Sequence, residues 1–96
     1  MSLSRKAVVA HLRHLRDGAL HLVRQGRREE ALRLFERALE AAPADPTLLC
    51  DLAGCQAALG RRLDACRTLA ALLLHHPHLE GHRRLYESLA RGESPA

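Results

Sequence analysis

An internal repeat constrains this chain more than any other feature. Shifting the sequence against itself by 34 residues lays residues 13–43 on 47–77. The shift pairs Leu15/Leu49, Asp17/Asp51, Ala19/Ala53, Gly26/Gly60, Arg27/Arg61, Arg28/Arg62, Ala31/Ala65, Arg33/Arg67, Leu39/Leu73 and Pro43/Pro77. A chain rich in leucine, alanine and arginine gives some matches by chance. Chance does not readily set a turn glycine and a terminating proline at one common offset. A period of this length marks stacked supersecondary units, each too small to bury its own apolar face, so the core forms only when neighbours pile up.

Each unit reads as two helices. Isoleucine is absent and Phe35 and Tyr86 are the only aromatics, so helix formers far outnumber strand formers. Gly26 and Gly60 fall where the apolar period pauses, the place for a glycine that ends a helix in the left-handed conformation. The second helix of unit one carries Ala31, Leu32, Phe35, Ala38 and Leu39 at helical spacing; unit two carries Ala65, Cys66, Leu69, Leu72 and Leu73. Pro43 and Pro77 stop these helices. Asp45 then offers an N-cap and Pro46 a first helical residue. The pattern predicts helices over about 4–25, 28–42, 46–59, 62–76 and 79–91. In the fifth, Leu79, Leu85, Tyr86 and Leu89 form an apolar stripe and Arg83, Arg84, Glu87 and Arg91 a polar side, as expected of a helix that caps an array. The expected organisation is a single domain over 1–96: repeat one at about 12–45, repeat two at 46–79, a capping helix at 80–91 and a frayed tail at 92–96.

The run from Gly26 to Asp45, G-R-R-E-E-A-L-R-L-F-E-R-A-L-E-A-A-P-A-D, resembles the second half of a tetratricopeptide repeat. That family places a glycine at the turn within the repeat, alanines where the helices cross, a large apolar residue between them and a closing proline. Gly26, Ala31, Phe35, Ala38 and Pro43 match those positions, and so do Gly60, Ala65, Leu69 and Pro77. Leu72 replaces the second small residue, which predicts a wider crossing or a shifted helix in unit two. In the first helices, Leu15, Ala19, Leu22, Leu49, Leu52 and Ala53 fit the pattern. Gly18, where the family usually has leucine, and Gln56, where it prefers an aromatic, depart from it. The resemblance covers about residues 12–79 and implies an all-α fold: a right-handed superhelix of antiparallel helix pairs, an α-solenoid of about five helices.

Little in the chain points to chemistry. There is no Gly-rich phosphate loop, acid pair or H-E-x-x-H run. The histidines form two groups, His11, His14 and His21 in the first helix and His75, His76, His78 and His82 near the last turn. His78 and His82 share a helix face, but no cysteine or carboxylate at metal-ligand spacing accompanies them, so they read as polar surface groups. No metal or cofactor is expected. Cys50, Cys55 and Cys66 are odd in number and lack paired spacing, as expected of free thiols in a reducing cytoplasm. Cys55 and Cys66 take core-facing positions, and Cys50 is expected to be the one accessible thiol. No apolar run approaches the roughly 18 residues needed to span a membrane, and no secretory segment is present.

The net charge is +4 with histidine neutral, carried almost wholly by arginine because Lys6 is the only lysine. Acidic and basic residues are interspersed, so the charge reads as a mixed, solvated surface with a modest basic excess. Arginines could follow phosphates, but the aromatic platforms of single-strand binders are missing, which counts against nucleic acid. The bias to arginine fits a GC-rich bacterial genome.

The resemblance implies a function in protein–protein interaction, because in such arrays the first helix of each repeat lines a concave groove that receives a peptide or helix. Carrying the groove positions across assigns Arg13, Arg16, Leu20, Val23 and Arg24 to unit one, and Thr47, Cys50, Gly54, Ala57 and Ala58 to unit two. The cap contributes Arg84, Ser88 and Arg91. A floor of glycine and alanine admits close approach, or alternatively serves only to pack neighbouring helices. Guanidinium groups at both ends suit carboxylates, so an acidic partner is expected. Family members that clamp the acidic C-termini of heat-shock chaperones use lysines and asparagines where this chain has Arg16, Leu20, Asp51, Gly81 and Leu85. Only Arg16 suits that clamp. The expected role is therefore an adaptor, co-chaperone-like or assembly module. Self-association is the alternative: two repeats are few for a stack, the core of so short a chain is marginal, and residues 3–11 with Leu12 add Val8 and Val9 as spare apolar surface.

Overall fold

The computed structural model describes residues 4–93. They form five helices: α1 Arg5–Arg24, α2 Arg28–Ala41, α3 Pro46–Ala58, α4 Arg62–His75 and α5 Glu80–Ala90. No strand occurs among the described residues. Leu3 of the spare apolar surface and residues 94–96 of the tail lie outside them.

The helix ends follow the local chemistry. Ser4 caps α1 by accepting the Ala7 N–H at 3.1 Å, and Asp45 caps α3 by accepting the Leu48 N–H at 3.1 Å. Gly26 and Gly60 both adopt φ +77°. At each, the glycine N–H reaches back three residues and the next N–H five, giving Gly26→Val23, Arg27→Leu22, Gly60→Ala57 and Arg61→Gln56 bonds of 2.8–3.0 Å. These paired bonds satisfy the last helical carbonyls, and only glycine takes the required φ without strain. A third copy of this stop closes α5. Gly92 sits at φ +84° and donates to Leu89, while Glu93 donates to Ser88 at 2.9 Å.

Each helix packs against the next in antiparallel fashion. The Cα envelope, 45 × 31 × 17 Å, is a slab two helices thick. Side-chain contacts join α1 to α3 and α3 to α5 on one side (Arg16–Asp51, Cys50–His82), and α2 to α4 on the other (Arg61–Glu29). Two apolar clusters run in series through the slab. The first holds Leu15, Ala19, Leu32, Phe35 and Ala38 with Leu48, Leu52 and Cys55 of α3; the second holds Leu49 and Ala53 of α3 with Ala65, Leu69, Leu72 and Leu89. α3 feeds both, which explains why Asp51 is its only charged residue. The strip that α3 leaves to solvent is consequently small and nearly neutral.

The departures from the repeat pattern are matched in space. A Cβ on Gly18 would meet the Leu34 side chain at 3.3 Å, so Leu34 fills the room that the usual leucine would take. One period later the sizes are exchanged: Leu52 stands at the Gly18 position and Thr68 at the Leu34 position. The partly buried Leu22 and Leu34 of unit one likewise become Gln56 and Thr68, whose side chains share a 2.7 Å hydrogen bond. Thr68, only 8% exposed, also donates toward the Asp64 carbonyl at 3.0 Å. Leu72 is wholly buried, so unit two accommodates the larger residue inside its core.

Candidate functional site

The first helices of the repeats and α5 share one face of the slab. On it, two clefts lie along α1 and α3. The first, about 320 Å³, is lined by Leu20, Val23, Cys50, Gly54 and Ala58, all assigned to the groove from sequence, together with Arg28, Phe35, Asp51 and Cys55. The second, about 430 Å³, lies toward the start of both helices and gathers Arg13, Arg16 and Thr47 with Val9, Leu12, Asp17, Asp45 and Leu48. Nothing lies within 4 Å of the point where a Gly54 Cβ would sit, so its glycine leaves open space in the floor and is not demanded by helix packing.

Other assigned residues fall elsewhere. Ala57 is half-buried against the second apolar cluster. Arg24, Arg84, Ser88 and Arg91 line neither cleft. Arg24 and Arg84 are exposed and meet no carboxylate at ion-pair distance among the described residues. Arg91 is tied to Glu93 at 3.0 Å, and Ser88 donates to the same carboxylate at 3.0 Å. These two hydrogen bonds hold the Glu93 carboxyl below its ordinary range.

Arg16 plays a part that spacing did not reveal. Its Nε donates to Asp51 at 2.7 Å, and the Asp51 side chain is 19% exposed. The pair braces α1 against α3 and neutralises one guanidinium of the 430 Å³ cleft, so this arginine is engaged before any partner arrives. The repeat offset pairs Asp51 with Asp17, whereas its spatial partner is the residue before Asp17. That one-residue displacement is why the contact escaped the sequence reading.

Cys50 Sγ lies 3.1 Å from His82 Nε2, joining α3 to α5 across the groove wall. Burial, then the Asp51 carboxylate, push the Cys50 thiol up, which favours its neutral form. Burial also raises Cys55, whose Sγ–H donates to the Arg28 carbonyl at 3.4 Å. Cys66, expected in the core, is half-buried at the margin of the second cluster, so Cys50 is not the sole partly accessible thiol. Among the described residues no three His, Cys, Asp or Glu side chains converge as metal ligands. His76 of the last-turn group instead sits 3.3 Å from the Ala44 carbonyl. No helix is long and apolar enough to cross a membrane among the described residues.

Comparison with curated proteins and with solved structures finds no significant match. The family model of the tetratricopeptide repeat matches residues 22–90, well over half of the chain. Repeats of this family generally mediate protein–protein interaction. The five-helix slab, the matching glycine stops and this match agree, and the chain belongs to the tetratricopeptide repeat family.

Proposed function

We propose that the chain is a non-enzymatic adaptor or assembly module of a bacterial cytoplasm, holding an extended or helical segment of another protein against the face made by α1, α3 and α5. The observation that carries this reading is the 320 Å³ cleft, where Leu20, Val23 and Phe35 flank a floor of Cys50, Gly54 and Ala58. Such a cleft takes an apolar side chain on a closely approaching backbone. Its two charges, Arg28 and Asp51, are of opposite sign, so the floor does not select for charge. Arg13, Arg24 and Arg84 remain to meet carboxylates at the ends of the segment, which favours an acidic partner. A reducing cytoplasm keeps all three cysteines as thiols.

Gly54→Arg tests the groove directly. The position is exposed and unobstructed, so the variant folds while its side chain fills the cleft. Partners captured by wild-type protein and identified by mass spectrometry should bind the variant more than about tenfold more weakly by calorimetry, the ~1.4 kcal/mol that one obstructed pocket costs. Unchanged affinity removes the groove from the account.

A specific observation also favours self-association. Leu63 and Leu74, 61% and 80% exposed, lie on one stripe of α4 with Ala70 and Arg67 between them. Analytical ultracentrifugation of wild type and Leu74→Glu tests it: a monomer at high concentration rules the reading out.

A further inference from the structure

The basic charge is not spread over the molecule as its interspersed residues imply. α1 carries Arg5, Lys6, Arg13, Arg16 and Arg24 against Asp17 alone, which equals the net +4 of the whole chain. The ten other cations and ten other carboxylates cancel. Within α1 the excess gathers toward the start. Arg5, Lys6 and Arg13 meet no carboxylate at ion-pair distance among the described residues, whereas Arg16 is held by Asp51.

This end of α1 also projects. α1 has 20 residues where α3 has 13, an excess of roughly 10 Å at 1.5 Å per residue. Its buried residues begin only at Leu15. The projecting turns expose Val9 at 48%, one of three large apolar side chains left open among the described residues. Val9 and Arg13 line both the 430 Å³ cleft against α3 and a neighbouring cleft of about 400 Å³ completed by Arg5, Lys6 and Ala10. Val9 and Ala10 are thus bordered by three cations in the 400 Å³ cleft, whereas Asp17 and Asp45 join the lining of the 430 Å³ cleft toward α3.

The arrangement costs helix stability. The first turn contains no acidic residue, and Arg5 and Lys6 stand where the helix dipole disfavours positive charge. A local rule broken without compensation inside the fold marks a surface kept for another purpose.

We infer that the projecting part of α1 is a second docking surface, beyond the 320 Å³ cleft, for an acidic segment of a partner protein whose apolar side chain seats on Val9 and whose carboxylates meet Arg5, Lys6 and Arg13. Charge complementarity selects this occupant. The exposed Glu36 and Glu40 of α2, one turn apart and in no ion pair among the described residues, make a second copy of the chain the rival occupant, and self-association that the charge reversals abolish would overturn the inference. The surface shares Arg13 with the groove reading, whereas Arg5, Lys6 and Val9 belong to it alone, and Gly54→Arg separates the two.

The probe is a fluorescein-labelled peptide of glutamates with leucines one helical turn apart, followed by anisotropy; its lysine counterpart is the control. The glutamate peptide should bind, and the lysine peptide should not. Raising salt from about 0.1 M to about 1 M should weaken binding, since the screening length falls from about 10 Å to about 3 Å. Arg5→Glu/Lys6→Glu/Arg13→Glu should weaken it by roughly tenfold or more, and Arg5→Glu/Lys6→Glu alone should weaken it while raising thermal stability, because acids suit the first turn of a helix. Val9→Ser should weaken it without changing the salt dependence. Gly54→Arg should leave it unchanged, which separates this surface from the groove. Absence of binding, binding unaffected by the triple reversal, or loss of binding through Gly54→Arg alone each overturns the inference. So does dependence on the three cations seen only with phosphatidylserine vesicles or a single-stranded RNA, which assigns the surface to another class of ligand.

Discussion

Replacing Leu72 with alanine separates the packing seen here from the family pattern. That pattern has a small residue at this position, as unit one does with Ala38, and so treats Leu72→Ala as harmless. The structure opposes this. Leu72 is 0% exposed and sits among Leu49, Ala53, Ala65, Leu69 and Leu89. Alanine removes three buried carbons, worth about 2.4 kcal/mol at about 0.8 each. The cavity left by incomplete collapse brings the loss to about 3–4 kcal/mol, within the range of buried Leu→Ala changes. A chain of 96 residues holds about 5–14 kcal/mol in total, so the loss is a large fraction of its stability. Urea unfolding followed by circular dichroism should show a lower midpoint with an unchanged m-value. The melting temperature should fall by roughly 12–30 °C, at about 4–8 °C per kcal/mol for a domain of this size. A loss below about 1 kcal/mol, or a gain, would refute the argument, because α4 and α5 would then close to the tighter crossing.

The size exchange between repeats predicts coupling: Gly18→Leu alone should cost about 1–3 kcal/mol by overpacking against Leu34, and Leu34→Thr in the same chain should restore much of it, as chemical denaturation of the double-mutant cycle will show. Arg16→Ala and Asp51→Ala should each weaken the fold, with a cycle coupling of about 0.5–1 kcal/mol, since the pair is neither buried nor fully exposed. The Cys50 thiol is raised in the folded state, so folding favours its neutral form; the stability this contributes is complete at neutral pH and is lost as pH rises through the raised value. Site-resolved iodoacetamide alkylation should therefore reach its half-maximal rate at a more alkaline pH in the folded chain than in urea, and Asp51→Asn should shift that midpoint back toward neutrality.

The elements were legible because they depend on local chemistry that a single sequence carries. Gly26, Gly60 and Asp45 mark helix ends through backbone φ and capping, and the structure reproduces them. Gly92 offered the same signal as its two predecessors, yet its place in a short polar tail read as fraying. Register alone sets Leu20, Val23, Cys50, Gly54 and Ala58 on one side of α1 and α3, and these five line one cleft, which remains a proposed groove. What escaped were matches between distant positions. The Gly18–Leu34 fit, the Gln56–Thr68 hydrogen bond and the Arg16–Asp51 brace depend on helix rotation and side-chain length, which periodicity does not encode. Charge was legible in principle: the helix predicted over 4–25 already holds Arg5, Lys6, Arg13, Arg16 and Arg24 against Asp17, but a count along the whole chain hides that excess.

Recognition through the first helices of the repeats can be read by hydrogen exchange of the free protein and of its complex with a captured partner. Added protection is expected around Leu20, Cys50 and Gly54 on α1 and α3, with the exposed side of α4 around Leu63 and Leu74 exchanging as in the free chain. Protection confined to α2 and α4, with α1 and α3 unchanged, would contradict it.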